Sequence, residues 1–232
     1  MITISEIFGP TIQGEGASIG EPTVFVRTGG CDFRCSWCDT LHAVDRKNRH
    51  LWNDMSAEEV FAEVEKLSGG LPMLVTLSGG NPATQNLAPL IALGKAKGYR
   101  FAMETQGSVA AEWFSMLDNL TLSPKPPSSK MRFDAIRFDT ALMMAGDSVQ
   151  TTMKIVIADE ADFQWAEEMK ALYPQLPLYL QACNPQVEGE PDQAELAAQM
   201  RALVDRVIAK RWFDVRVLPQ LHVYLWGNET GV

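Results

Sequence analysis

The stretch Cys31-Asp32-Phe33-Arg34-Cys35-Ser36-Trp37-Cys38-Asp39-Thr40 holds three of the chain's four cysteines within eight residues, spaced x3 and then x2. Thiolates this close on one loop can turn together toward one inorganic centre. Three of them neither close a four-coordinate structural zinc site nor complete the four-cysteine shell of an iron–sulfur cube. The spacing therefore points to a cluster with one iron left to a ligand that is not protein. Other readings stand beside it. Free cysteine can be an inert, buried small hydrophobe, but the Gly, Asp, Arg, Ser and Trp neighbours are not those of a core strand. A disulfide has poor support, because Cys183 lies far along the chain and nothing suggests secretion. A zinc site completed by His42 or Asp39 is the strongest rival.

Working outward, 232 residues suit one domain of small α/β-barrel size, spanning residues 1–232. A hydrophobic content of 46% is ample for a buried core and excludes a disordered chain. The formal net charge is −9, and the basic residues form no run longer than Arg46-Lys47, which argues against a nucleic-acid partner. No apolar stretch approaches 18 residues, so no membrane span is expected. Residues 1–6 lack a charged head followed by an apolar block, so no signal peptide is expected either. Few cysteines and no export signal point to the reducing cytoplasm.

Apolar, β-branched runs alternate with helical stretches, the pattern of βα units around a mainly parallel sheet. Strands are predicted at residues 23–27, 73–77, 101–104, 120–122, 152–157, 178–181 and 214–218. Helices are predicted at 56–67, 87–97, 110–117, 135–144, 161–172 and 193–210. In the first of these, Ser56 is a good N-cap, and Ala57, Val60, Phe61, Val64 and Leu67 form an apolar stripe. Polar and glycine-rich residues recur just after successive strands: the cysteine loop, Ser78-Gly79-Gly80-Asn81-Pro82, Glu104-Thr105-Gln106-Gly107, Ser123-Pro124-Lys125 and Gln181-Ala182-Cys183-Asn184. In α/β sheets that rim carries the active site.

Several rim residues have both a bland and a functional reading. Gly79-Gly80-Asn81-Pro82 is a turn former, or a main chain left open to a ligand. Glu104 is a solvated carboxylate, or an acceptor for amino or ribose groups. Lys125 among prolines is part of a stiff loop, or a pre-organised cation. Gln181 and Asn184 carry amides able to read adenine or ribose edges, while Cys183 reads as structural. Gln13 and Glu15 are turn residues, or a pair suited to a flat ring such as a pterin edge. Arg27 is harder to dismiss, because a charge inside an apolar strand needs a partner and its fork fits a carboxylate.

The segments FGPTIQGEG (8–16), RTGGCDFRCSWCDT (27–40), SGGNP (78–82), ETQG (104–107), SPKPPSSKM (123–131) and RVLPQLHVYLWGN (216–228) occur in this order. The cysteine spacing, with Trp37 before the last cysteine, resembles the radical S-adenosylmethionine superfamily. The whole set resembles the 7-carboxy-7-deazaguanine synthase family within it, from about residue 6 to 232. That resemblance implies an α/β fold, an incomplete, TIM-like β/α barrel of the radical S-adenosylmethionine type with a reduced helix complement. It implies conversion of 6-carboxy-5,6,7,8-tetrahydropterin to 7-carboxy-7-deazaguanine with loss of ammonia, in queuosine biosynthesis. Cys31, Cys35 and Cys38 would ligate a 4Fe–4S cluster, and Thr40 would bind magnesium. Trp37, Asp39, Gly80, Glu104, Ser123, Pro124, Lys125, Gln181 and Asn184 match the S-adenosylmethionine side. Ile12, Gln13, Gly14, Glu15, Arg27, Ser78 and His222 match the substrate side, with Glu15, Arg27 and His222 as the candidate catalytic groups and terminal Val232 as a further contact. Flavodoxin or ferredoxin as electron donor and a homodimer are also implied. An activase acting on a protein partner and a zinc- or cluster-binding interaction module are the rival functions; the activase has no use for Gln13, Glu15 and Arg27 as a small-ring clamp, and anaerobic reconstitution discriminates the module.

Overall fold

The computed structural model describes residues 1–187 and 189–232. Among the described residues, nine strands form one open sheet: β1 (Ile2–Ile12), β2 (Pro22–Thr28), β3 (Asn53–Met55), β4 (Leu74–Gly79), β5 (Arg100–Thr105), β6 (Asn119–Leu122), β7 (Gln150–Ile157), β8 (Leu178–Ala182) and β9 (Val215–Leu218). Their order is β3-β1-β2-β4-β5-β6-β7-β8-β9. Pairing is parallel from β2 to β9, whereas β1 runs antiparallel to both β2 and β3. The helices are α1 (Leu41–Val44), α2 (Ala57–Leu67), α3 (Ala88–Ala96), α4 (Ala135–Ala145), α5 (Glu160–Leu172), α6 (Gln193–Ala209) and α7 (Leu221–Trp226). The result is a partial β/α barrel.

Alternation along the strands separates two environments, as a period of two requires. Val24, Val26, Val75, Leu77, Phe101 and Met103 face the helices and join one apolar cluster that continues through β6, β7 and β8. The opposite faces carry polar groups. Thr23 Oγ1 meets Thr76 Oγ1 at 2.8 Å, Thr121 Oγ1 meets Thr152 Oγ1 at 3.5 Å, and Lys154 is buried. The chain thus stabilises itself outside the barrel wall and keeps the inside for ligands.

The tip of the β1–β2 hairpin folds across the amino ends of the barrel strands. Asn119 Nδ2 donates to Ser18 Oγ at 3.3 Å, and Arg100 pairs with Glu21. At the far edge, Leu221 N donates to Gly14 O at 2.9 Å, so α7 is tied to the first hairpin although β9 and β3 end the sheet separately.

The predicted strands and helices are present with shifted ends, with one exception. Residues 110–117 form a single 3-10 stretch, Glu112–Met116, in place of an α-helix. The β5–β6 connection, residues 106–118, carries this 3-10 stretch, in which the adjacent Trp113 and Phe114 are both buried and pack edge-on, 5.0 Å apart. This gap is the reduced helix complement. The antiparallel strand β1 was not read from the sequence, because Phe8-Gly9-Pro10 interrupts its alternation. β3, α1 and α7 are too short to leave a periodic signature. Ser56 caps α2 as the sequence proposes, and Glu59 completes a capping box: Ser56 Oγ accepts from Glu59 N at 3.1 Å and Glu59 Oε2 from Ser56 N at 2.7 Å.

Gly94 on α3 lies so near the fully buried Phe101 ring that an added Cβ would overlap it. Alanine is normally worth up to about 1 kcal/mol over glycine in a helix. Here Gly94→Ala should instead destabilise by about 1–3 kcal/mol, read as a lower urea midpoint with an unchanged slope.

Candidate active site

The cysteine loop leaves the carboxyl end of β2 and is pinned on two sides. On one side, Asn81 N donates to Gly30 O at 2.8 Å, and Asp32 Oδ1 accepts from Asn81 Nδ2 and Gln106 Nε2 at 2.8 and 2.7 Å. On the other, the loop docks on residues 128–131. Ser36 N donates to Ser129 O at 3.0 Å, Ser36 Oγ to Ser128 O at 2.7 Å, and Trp37 Nε1 to Ser128 Oγ at 2.9 Å. Fully buried Asp162 on α5 holds that platform by accepting from Ser128 N at 2.9 Å. A buried carboxylate with matched backbone donors is a stable anchor. Three distant motifs are thereby locked around one loop.

Cys31, Cys35 and Cys38 are free and half-buried, and all three line one cavity. Burial pushes the Cys35 thiol up to about 11, opposed by Lys125 and reinforced by the other two thiols and Asp39. Burial also raises Cys31, against hydrogen bonds from the Phe33 N–H and the Gln106 amide. Among the described residues, no three His, Cys, Asp or Glu side chains group around a single-ion site. His42 is turned away, with Nε2 3.2 Å from Glu6 Oε1. A zinc ion held with His42 therefore finds no support. In a cube each thiolate takes its own iron, so three thiols spread along a cavity wall suit that chemistry better.

The cavity has two lobes. The first runs from the thiols past Thr40, Ser78 and Arg27 to Gln13, Glu15, His222 and Val232. The second lies beneath Gln181, Cys183 and Asn184, and the lobes share Glu15, Trp37, Asp39, Glu104 and Lys125. Thr40 Oγ1 sits 3.6 Å from Cys38 Sγ. Gly14 permits close approach of the His222 ring, which an added Cβ would strike. Gln181 Oε1 is a buried acceptor with no protein partner among the described residues.

Not every residue singled out in the sequence meets the cavity as expected. Arg27 points its Nε at Glu6 Oε1, 2.6 Å away, and stacks 5.6 Å over Phe8, so its carboxylate fork is partly occupied by the protein itself. Ser123 and Pro124 are buried behind the wall: Ser123 N donates to Thr105 O at 2.7 Å, and its Oγ accepts from Lys125 Nζ at 3.1 Å. Lys125 lies 5.8 Å over the Trp37 ring. Gly80 is needed for packing, since a side chain there would collide with Gly30 O. Asn184 is engaged by Asn228 and Gln186.

Sequence reading missed Lys154. Its side chain is 3% exposed, bonds Glu15 and lies 2.8 Å from Glu104 Oε1. Burial would lower its pKa, but Glu104 and Glu15 together raise it. Burial likewise opposes ionisation of Glu15. Lys154 and His222, with bonds from Lys154 and Gln220, override burial and hold the Glu15 carboxyl at about 2. The missed signal was present: Met153-Lys154-Ile155-Val156-Ile157 is a charge in an apolar strand, the pattern that marked Arg27.

Residues 25–125 match the Radical SAM superfamily. Over 239 aligned residues the chain is 45% identical to the 7-carboxy-7-deazaguanine synthase of Bacillus subtilis (strain 168), covering 100% of this chain and 98% of that relative. It is 40% identical to the 7-carboxy-7-deazaguanine synthase of Bacillus cereus, covering 100% and 99%. Among solved structures, QueE from Escherichia coli superimposes with a TM-score of 0.70 at 24% identity, over 95% of this chain and 94% of that one. SuiB of Streptococcus suis bound to S-adenosylmethionine shares the fold at 15% identity, with a TM-score of 0.56 over 82% and 48%.

Lys154→Met leaves two carboxylates facing each other and should cost about 3–5 kcal/mol in a urea titration. The depressed Glu15 carboxyl stabilises the fold fully above its ordinary 4.5, and that contribution fades as pH falls toward about 2. Glu15→Gln should therefore flatten the acid limb of the stability profile between those values.

Proposed function

The chain belongs to the 7-carboxy-7-deazaguanine synthases, which are radical S-adenosylmethionine enzymes, and from that footing we propose how its own residues share the work. The reaction takes 6-carboxy-5,6,7,8-tetrahydropterin to 7-carboxy-7-deazaguanine with loss of ammonia. The observation that carries the assignment of roles is the convergence of the cysteine loop, the polar barrel interior and the chain's last residue on one two-lobed cavity.

The residues present fit the implied groups. Three free thiols line the cavity. An unpartnered buried Gln181 carbonyl faces the second lobe, where an adenine or ribose donor would satisfy it. When bound, the cluster and S-adenosylmethionine would supply radical chemistry directed at C6 of the pterin. Cys31, Cys35 and Cys38 would hold the cluster. Trp37, Asp39, Glu104, Lys125, Gln181 and Asn184 surround S-adenosylmethionine, with Gly80, Ser123 and Pro124 shaping the backbone behind them.

Ile12, Gln13, Gly14, Glu15, Ser78 and Val232 enclose the pterin, and Arg27, braced by Glu6, meets its carboxylate. Glu15 stays ionised at neutral pH, so it accepts hydrogen bonds from ring N–H groups and does not donate a proton. That leaves His222, packed on Gly14, as the side chain placed to move one. Fixed positions, more than acid–base strength, supply the selectivity. The Thr40 hydroxyl would hold magnesium near the substrate carboxylate, an oxygen donor of the kind that ion prefers.

The reading also takes residues 1–232 as one core domain and includes a flavodoxin or ferredoxin donor, a homodimer and the cytoplasm. Family membership supports the donor and the dimer. An acidic chain gives no support to a nucleic-acid partner. Among the described residues no helix is long and apolar enough to cross a membrane.

The deciding experiment is anaerobic reconstitution followed by mass spectrometry with the pterin and S-adenosylmethionine supplied. Four irons and four sulfides per chain and formation of 7-carboxy-7-deazaguanine are expected. A metal shell already complete without S-adenosylmethionine would overturn the reading. Cys35→Ala should lose both cluster and turnover. Thr40→Ala should blunt the magnesium response while leaving S-adenosylmethionine binding near wild type. An unchanged magnesium dependence removes Thr40 from the site.

A further inference from the structure

Gln106 carries no assignment in the preceding roles, yet it is one of the best-held side chains near the thiols. It follows β5 and is 7% exposed. Its Nε2 donates to Asp32 Oδ1 at 2.7 Å and lies 3.6 Å from Cys31 Sγ. A primary amide has two N–H bonds. Asp32 takes one, and the planar amide then aims the other at the sulfur.

The aim is fixed from further back. Asp32 Oδ1 also accepts from Asn81 Nδ2 at 2.8 Å, and Asn81 Oδ1 in turn accepts from Thr105 Oγ1 at 2.8 Å and Ala83 N at 3.2 Å. Asn81 is fully buried. Asp32 Oδ1 can only accept, so it holds the Gln106 amide with its NH2 end toward Asp32 and Cys31.

We propose that Gln106 is a redox-tuning residue, donating an N–H···S hydrogen bond to the Cys31 thiolate that raises the reduction potential of the cluster. The inference rests on the assignment of Cys31 as an iron ligand. One electron from a low-potential carrier adds negative charge to the iron–sulfur core and its thiolates, and no bond breaks. A fixed N–H dipole at a ligand sulfur stabilises the more negative state more than the less negative one. Asp32, the neighbouring anion, acts in the opposite sense. Tying its oxygen to two amides offsets part of that charge. A merely structural Gln106 would hold the loop without changing the ease of reduction.

The test uses the full chain, anaerobically loaded, as wild type, Gln106→Leu and Gln106→Met; methionine keeps the length without an N–H. Iron and sulfide content is measured first, then the midpoint potential by a titration followed with electron paramagnetic resonance, without substrate. Full clusters with midpoints shifted negative in both variants are expected. Full clusters with an unmoved or more positive midpoint overturn the proposal. Loss of the cluster from both variants but not wild type also overturns it, by making Gln106 a structural residue. Absence of the cluster from wild type strikes the cluster assignment instead.

Discussion

The Lys154 ammonium, buried in the barrel between Glu15 and Glu104, is the contact on which the interior depends. A barrel whose inner face carries carboxylates cannot remain dry and uncompensated, because isolated buried charges are prohibitively costly. A single cation set between two carboxylates leaves one net negative charge, further satisfied by Gln220 Nε2 at 2.8 Å from Glu15 Oε1. The arrangement joins β7, β5 and the first hairpin. It also brings in the segment before α7, so parts of the chain separated by up to 205 residues meet at one carboxylate. The open sheet is thus closed electrostatically where hydrogen-bonded strands do not close it.

This polar interior is possible because stability is lodged elsewhere. The apolar cluster lies between sheet and helices, where each outward Val, Leu, Ile, Phe or Met on the strands meets a helix stripe. The inward positions are then free of packing duty and can carry Thr, Lys, Glu and Gln. The cysteine loop follows the same logic. Its own residues are mostly half-exposed, and its shape is imposed by Asn81 and Gln106 on one flank and by the Ser128 platform on the other. Asp162 shows how far that support reaches, since a carboxylate on α5 fixes a loop after β6 that in turn fixes Trp37.

The strands and long helices were legible because outward alternation and helical stripes are local patterns, as at Val24 and Val26 or at Val60, Phe61 and Val64. The superfamily was legible because Cys31, Cys35 and Cys38 lie within one loop. What stayed hidden was pairing across distance. Nothing near Arg27 announces Glu6 as its partner, and Glu104 reads as a free acceptor until Lys154 is found beside it. The Ser128-Ser129 platform has no composition that marks it as a seat for the cysteine loop. The helix expected near residues 110–117 was misread because Trp113, Phe114 and Leu117 have helical spacing, yet a 3-10 stretch, Glu112–Met116, and its cap bury all three.

The same connection bears on the orientation of Gln106. With no α-helix between β5 and β6, α4 is free to press up under the rim, and Phe138 comes within 2.7 Å of where a Gly107 Cβ would stand. Gly107 has φ +76, a conformation that favours glycine. The chain can therefore turn sharply beneath the rim immediately after Gln106. The backbone goes down against Phe138 while the preceding side chain remains at the level of the cysteine loop. A bulkier residue at 107 would push the turn outward and carry the amide away from Cys31. The glycine that closes the ETQG motif serves the sulfur two steps removed, through the backbone geometry it allows.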